Sequence, residues 1–154
     1  VKKGVYKNTV FHRVIKKPSP FLIQGGDPLT KISSIQKKQF GTGNYIDPKN
    51  GQARFIPLEI KLKDETKPRY NSLIQNPNKI KKIELIHSKG ALAMARSIEL
   101  NSSSSQFYIT LKSLPELDGR YSVFGYVING MNIVQSIEEG DKILDIKVIK
   151  KKYN

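Results

Sequence analysis

Two neighbouring stretches decide the fold of this chain: Phe11-His12-Arg13-Val14-Ile15 and Phe21-Leu22-Ile23-Gln24-Gly25-Gly26-Asp27. Both are rich in β-branched and aromatic residues, and the segment between them contains Pro18 and Pro20, which forbid continuous ladder pairing. They predict neighbouring strands over Thr9 to Ile15 and Phe21 to Gln24. Because residues two apart on a strand share a face, Arg13 accompanies Phe11 and Ile15. An arginine there is more often a salt-bridge partner or a surface residue.

The rest of the pattern is also mainly β, within one domain over residues 1–154. Three later apolar runs predict strands over Ala91 to Ala95, Gln106 to Thr110 and Tyr121 to Val127. A final run of alternating apolar and polar residues predicts a strand over Ile143 to Ile149. A helix is predicted after Asn129-Gly130 from the spacing of Ile133, Val134 and Ile137, with Gly140 as its stop signal. From Pro28 to Lys89, glycine, proline, asparagine and lysine predict long surface loops, with an ordered piece around Ile56 to Ile60.

The net charge of +14 invites a nucleic-acid interpretation, which the composition does not favour. The excess is lysine, 22 Lys against 5 Arg, spread along the chain without interleaved aromatic residues. The basic run Lys79 to Lys82 predicts a solvated face, and Lys150 to Lys152 a frayed terminus. We therefore expect no specific nucleic-acid partner.

Several kinds of site are excluded or disfavoured by the residues present. The chain has no cysteine, and His12 and His87 lack the spaced carboxylates that a metal site requires. No apolar run is long enough for a membrane span, and the first residues do not form a signal peptide. The two opening stretches place an arginine and a glutamine near bulky apolar side chains and offer no thiol or spaced set of metal ligands for bond-breaking chemistry. Such a site suits a reaction in which no bond breaks.

Other short motifs have simpler structural interpretations. Gly41-Thr42-Gly43 lacks the third glycine of a dinucleotide loop and predicts a plain turn. The serine tract Ser102 to Ser105 predicts a loop, and Gly25-Gly26 predicts a bulge or tight turn at a strand end. The carboxylates of Glu138, Glu139 and Asp141 are expected to be solvated at the helix end. In the strand around residue 108, Gln106 and Tyr108 share one face while Phe107 and Ile109 share the other.

The chain resembles the cyclophilins, the peptidyl-prolyl cis/trans isomerases, in five blocks that occur in the family's order. These are Phe11 to Ile15, Phe21 to Asp27, Ala93-Met94-Ala95-Arg96, Ser105 to Ile109 and Leu117-Asp118-Gly119-Arg120-Tyr121-Ser122-Val123-Phe124-Gly125. The Ala-Met-Ala-Arg form and the segment Gly41 to Ile60 resemble the bacterial, cyanobacterial and plastid branch. The resemblance implies a closed eight-stranded β-barrel with flanking helices. It also implies that the first two strands and first helix are missing here, and that residues 61–87 form a divergent surface loop.

The resemblance also implies the site. Arg13, Gln24 and Gln106 would be catalytic, and the substrate-binding residues would be Phe21, Leu22, Ala95, Arg96, Tyr108, Leu117 and Tyr121. Where many relatives carry phenylalanine, tryptophan and histidine, this chain has Tyr108, Glu116 and Tyr121, which implies weak cyclosporin binding. No cofactor is expected, because rotation about an amide needs neither metal nor nucleotide.

The implied partners are proline-containing peptides and unfolded or partly folded proteins. Two other functions are a proline-peptide binding module with eroded activity and a basic module associated with RNA or the ribosome. We expect a soluble protein whose localisation the sequence does not assign. The cytoplasm is favoured, and the periplasm or thylakoid lumen is the alternative if a targeting segment is missing from this sequence.

Overall fold

The computed structural model describes Val1 and residues 3–149, so the predicted frayed terminus at Lys150 to Lys152 lies outside the described residues. The strands are β1 (Thr9–Val10), β2 (Arg13–Ile15), β3 (Leu22–Gly25), β4 (Glu59–Ile60), β5 (Arg69–Tyr70), β6 (Ala91–Met94), β7 (Phe107–Thr110), β8 (Val123–Tyr126) and β9 (Lys142–Ile143). The α-helices are α1 (Pro77–Ile80) and α2 (Met131–Ser136), and short 3-10 turns span Pro28–Lys31, Lys37–Gln39 and Pro115–Leu117. No helix in the described part of the chain is long and apolar enough to cross a membrane.

The central sheet is antiparallel, and its five strands lie in the order β2-β3-β7-β6-β8. Its register sets four residues in one row across the sheet: Arg13 is opposite Gln24, Gln24 opposite Tyr108, and Tyr108 opposite Ala93. Side chains in such a row point to the same face of a pleated sheet. The register alone therefore places Arg13, Gln24 and Tyr108 on a common surface.

Both faces of the central sheet are covered by apolar side chains. On one face Phe107 and Ile109 pack with Ile23, and Met131 and Val134 of α2 cover them. The opposite face carries a second cluster, with Leu22, Ala93 and Tyr108 at its centre. The predicted alternation along β7 is confirmed, and every residue of that strand is buried.

The segment 61–87 was expected to be a surface loop, yet it supplies much of a third apolar cluster. Leu62, Ile74 and Ile83 are buried there against Leu58 and Ile60 of the preceding segment. The isoleucines and leucines are spaced irregularly between lysines and prolines, so no helical or strand period marks them as core. The lysines of the run at 79–82 do lie on the exposed side of this segment.

Two expectations about the sheet differ from the structure. The described strands do not close into a barrel: β1 pairs with β9 and β4 with β5, which leaves one edge of β2 and one edge of β8 unpaired. The predicted strand over Ile143 to Ile149 is wrong beyond Ile143. Because β1 offers a partner of only two residues, the ladder stops there, and Leu144, Val148 and Ile149 are exposed. The helix prediction is confirmed, although α2 ends at Ser136, before Gly140.

Candidate active site

A cavity of about 320 Å³ lies on the face of the sheet that carries Arg13 and Tyr108. Its size is typical of small ligand sites, and its lining combines apolar side chains with two arginines, a glutamine and two tyrosines. All the site residues predicted from the sequence line it except Gln106: Arg13, Phe21, Leu22, Gln24, Ala95, Arg96, Tyr108, Leu117 and Tyr121. The structure thus brings together residues that are more than 100 positions apart in sequence.

Hydrogen bonds connect Arg13 to the interior of the protein. Its Nη1 donates to Oε1 of Gln24 at 3.4 Å, and Nε2 of Gln24 donates to Oε1 of Gln106 at 3.0 Å. Gln106 lies behind Gln24, nearly buried, and its own Nε2 donates to the carbonyls of Gly41 and Gly43 at 3.0 and 2.8 Å. The position of the exposed guanidinium therefore depends on two buried or half-buried amides.

The Gly41-Thr42-Gly43 turn is held from the other side by a fully buried carboxylate. Asp27 accepts the N–H groups of Leu29 at 2.8 Å, Gly41 at 2.5 Å and Gly43 at 3.3 Å. A Cβ on Gly43 would lie 1.9 Å from Oδ1 of Asp27, so only glycine fits there. The interpretation of this motif as a turn is confirmed, but the sequence did not reveal that its backbone N–H groups bind the carboxylate of Asp27.

The paired glycines at the end of β3 also have a steric role. Gly26 has a φ of +84°, and a Cβ there would lie 2.6 Å from the carbonyl oxygen of Ser105. The left-handed Gly26 leads from β3 to the buried Asp27 without the bulge or tight turn that the sequence predicts at Gly25-Gly26.

Two tyrosines form an aromatic wall of the cavity. The rings of Tyr108 and Tyr121 meet edge to face with centroids 5.9 Å apart, a favourable arrangement for aromatic pairs. Burial raises the pKa of the Tyr108 hydroxyl, which is protonated at neutral pH. Glu116 is exposed on the 3-10 turn Pro115–Leu117 and does not line the cavity.

Arg96 stands at the rim of the cavity with its guanidinium bound to the backbone. Nε and Nη2 donate to the carbonyl of Arg120 at 3.0 and 2.8 Å, while Nη1 donates to the carbonyls of Ser97 at 2.8 Å and Ile98 at 3.2 Å. The guanidinium carbon also lies 4.8 Å from the centroid of the Tyr121 ring, within cation–π range. All three nitrogens thus clamp two loops together beside the aromatic wall.

His87 and Asp118 are site components that the sequence analysis did not identify. The imidazole is 1% exposed, and its Nδ1 lies 2.7 Å from Oδ1 of Asp118 while its Nε2 lies 2.8 Å from the hydroxyl of Tyr108. The backbone N–H of His87 donates to the same carboxylate oxygen at 2.7 Å. The pair is 31 residues apart in sequence, a separation that no metal or triad motif requires, so His87 looked isolated.

The other histidine, His12, is half-buried between the strands and the glycine turn. Neither ring nitrogen has a hydrogen-bond partner among the described residues. Burial lowers the pKa of His12, against a smaller opposing effect of the nearby Asp27 carboxylate. The imidazole is therefore neutral at pH 7.

A second cavity of about 610 Å³ adjoins the first and shares Gln24, Ala95 and Arg96 with it. It is bordered by the turn residues Gly41 and Thr42 and by loop residues that include Glu99 and Ser102. The backbone N–H of Ala95, between the two cavities, is taken up by the carbonyl of Gln106 at 3.0 Å. The border between the two cavities is therefore formed by Gln24, Ala95 and Arg96.

Comparison with protein families gives a match over nearly the whole chain. Residues 1–152 match the sequence model of the family described as cyclophilin type peptidyl-prolyl cis-trans isomerase/CLD. The peptidyl-prolyl cis-trans isomerase cypE of Dictyostelium discoideum is 37% identical, over 99% of this chain and 78% of its own length.

A Synechocystis protein named as a thylakoid lumen peptidyl-prolyl cis-trans isomerase is 35% identical over 88% of this chain. The match spans only 36% of that protein's length, little more than a third. Among solved structures, a cyclophilin type isomerase of Cryptosporidium parvum, determined in the presence of the dipeptide Ala-Pro, is 31% identical. It superposes with a TM-score of 0.57 over 92% of this chain and 72% of its own.

Proposed function

This chain belongs to the cyclophilin-type peptidyl-prolyl cis-trans isomerase family, and on that premise we propose that it accelerates rotation about X-Pro peptide bonds. The observation that carries the proposal is the position of Arg13, a permanently charged donor beside the apolar and aromatic side chains of a cavity whose size suits a proline ring. The solved relative determined in the presence of Ala-Pro supports the substrate class.

The chemistry requires no proton transfer and no covalent intermediate. Rotation must break the resonance across the C–N bond, a barrier of about 18 to 20 kcal/mol. As the amide twists, the lone pair of the prolyl nitrogen is released from resonance and becomes a hydrogen-bond acceptor. Arg13 donates to it in the twisted state and not in the planar one, so the interaction favours the transition state selectively.

The remaining residues bind and orient the peptide. Phe21, Leu22, Tyr108, Leu117 and Tyr121 form the apolar box that grips the proline ring and holds it still while the preceding residue turns. Gln24 holds Arg13 and, with the backbone at Ala95 and the rim at Arg96, contacts the substrate backbone. Gln106 acts one step away, by orienting Gln24.

Partners follow from the same cavity. It accommodates a proline and leaves the flanking residues at the surface, so we expect proline-containing peptides and unfolded or partly folded proteins as substrates. Because Glu116 is exposed and supplies no apolar surface to the cavity, we expect weak cyclosporin binding.

The proposal is tested by exchange-rate NMR on a short Ala-Pro peptide with wild-type protein and with Arg13→Ala. Loss of one donor to a developing charge lowers the rate by about 10² to 10³, so we expect the variant to lose nearly all acceleration while KM changes little. Arg54→Ala, which removes an exposed arginine outside the proline cavity, is the control and should keep the wild-type rate. Full activity of a folded Arg13→Ala protein would refute the mechanism. Proline-peptide binding without any acceleration by the wild type would favour a binding module.

A further inference from the structure

The hydroxyl of Tyr108, on the aromatic wall, is directed into the protein toward His87. Tyr108 is 3% exposed, and its hydroxyl oxygen lies 2.8 Å from Nε2 of His87. The imidazole and the phenol are nearly parallel, with an interplanar angle of 13° and centroids 6.0 Å apart. His87 thus lies behind the wall and does not line the cavity, but it packs against both rings of the wall, since it also meets Tyr121 edge to face with centroids 6.5 Å apart.

The partners of His87 determine where its proton lies. Oδ1 of Asp118 accepts from the backbone N–H of His87 and lies 2.7 Å from Nδ1, so Nδ1 is the nitrogen that carries the hydrogen. Nε2 of the neutral ring is then an acceptor, and among the described residues the Tyr108 hydroxyl is the group that donates to it. Burial lowers the pKa of His87, against the raising effects of Asp118 and Glu116, and the ring is neutral at pH 7.

Without His87 the hydroxyl would have to find another acceptor. The one side-chain amide that lines the proline cavity, that of Gln24, is already bonded to Arg13 and Gln106. The ring would instead be free to turn its hydroxyl toward the open cavity and take up water there. A proline ring entering the cavity would then have to displace that water and leave a buried donor unpaired, which weakens binding.

We propose that His87, held in one tautomer by Asp118, is a positioning residue that binds the Tyr108 hydroxyl and so keeps that hydroxyl out of the proline cavity. The inference rests on the proposed isomerase function for its consequence, since its effect falls on the affinity for proline substrates. Because the lost interaction weakens ground state and transition state alike, it should raise KM and leave kcat nearly unchanged.

The test is a double-mutant cycle between His87→Leu and Tyr108→Phe, with kcat and KM measured on an Ala-Pro peptide. We expect His87→Leu to raise KM about tenfold when Tyr108 is present, the effect of leaving one buried polar group unpaired. In the Tyr108→Phe background the same change at His87 should alter KM by less than about twofold, because no hydroxyl remains to be hydrated. A general loosening of the fold would raise KM equally in both backgrounds, and that result would overturn the inference.

Two outcomes separate this inference from the proposed function. No acceleration by the wild-type protein would refute the isomerase proposal itself, whatever the variants do. An active wild type whose KM is unchanged by His87→Leu would refute only the role of His87. If His87→Leu fails to fold, nitrogen-15 NMR of the wild-type imidazole at pH 7 decides: a hydrogen on Nδ1 with a bare Nε2 is expected, and a hydrogen on Nε2 would overturn the inference.

Discussion

Replacing Asp27 by asparagine removes a charge without changing the shape of the side chain, and the structure predicts a large loss of stability. Oδ1 accepts the N–H of Leu29, while Oδ2 accepts those of Gly41 and Gly43. Asparagine has one oxygen and a donor amide in place of the other, so at least one backbone N–H would face a second donor. If the oxygen stays with Leu29, the two glycine N–H groups lose their acceptor.

The expected magnitude follows from these bonds. An unsatisfied buried donor costs about 1 to 3 kcal/mol, and two such groups give a loss of about 3 to 5 kcal/mol once partial relaxation of the turn is allowed. Urea unfolding followed by circular dichroism measures this directly, with the unfolding free energy extrapolated to water. Asp141→Asn is the matched control. Its carboxylate is exposed and accepts one backbone N–H, from Glu138, so we expect a change below about 1 kcal/mol.

The same variant should affect the candidate active site. Gln106 donates to the carbonyls of Gly41 and Gly43, so a displaced turn would disturb the hydrogen bonds that run through Gln24 to Arg13. If Asp27→Asn unfolds with a free energy within 1 kcal/mol of the wild type, the buried carboxylate does not hold the turn, and this reasoning fails.

Three further changes test other parts of the structure. Ile74→Ala should lower the unfolding free energy by about 2 to 5 kcal/mol because Ile74 is buried in the third apolar cluster. A loss below 1 kcal/mol in urea unfolding would show that residues 61–87 do not contribute to the core. Burial lowers the pKa of both His12 and His87, so between the lowered values and about 6.5 the unfolded chain binds more protons than the folded one. The unfolding free energy should therefore fall as the pH drops from 7.5 to 5.5, and His12→Gln should reduce that fall; equal pH dependence in both proteins would exclude His12 as a cause. Glu116→Trp should increase the affinity for cyclosporin, measured by calorimetry, by restoring an apolar surface beside the cavity, and an unchanged affinity would show that position 116 does not contact the ligand.

The local elements of this fold are largely predictable from the sequence. The strands around Arg13, Gln24 and Tyr108 have clear β-branched and aromatic runs, and the alternation along β7 sorts Tyr108 from Phe107 correctly. The family resemblance then points to the residues that line the cavity. The residue-by-residue pairing of β2, β3 and β7, which sets Arg13, Gln24 and Tyr108 in one row, comes from the structure.

The contacts that the sequence did not reveal are tertiary ones without a fixed spacing. Asp27 and the Gly41 turn, or His87 and Asp118, meet because the chain folds back on itself, and their separations of 14 and 31 residues have no periodic signature. The core role of Ile74 was hidden in the same way, by lysine-rich neighbours that resemble a loop. Buried polar pairs and isolated apolar anchors are set by three-dimensional packing, which local propensity does not encode.

The clamp formed by Arg96 has a consequence for how this protein can evolve. Its acceptors are the main-chain carbonyls of Ser97, Ile98 and Arg120, which every amino acid supplies. Substitutions at those three positions can accumulate by neutral drift without loosening the loops, and Ile98, whose side chain is 93% exposed, has especially wide mutational freedom. For this clamp, selection then acts on the codon of Arg96 and not on those of its three acceptors.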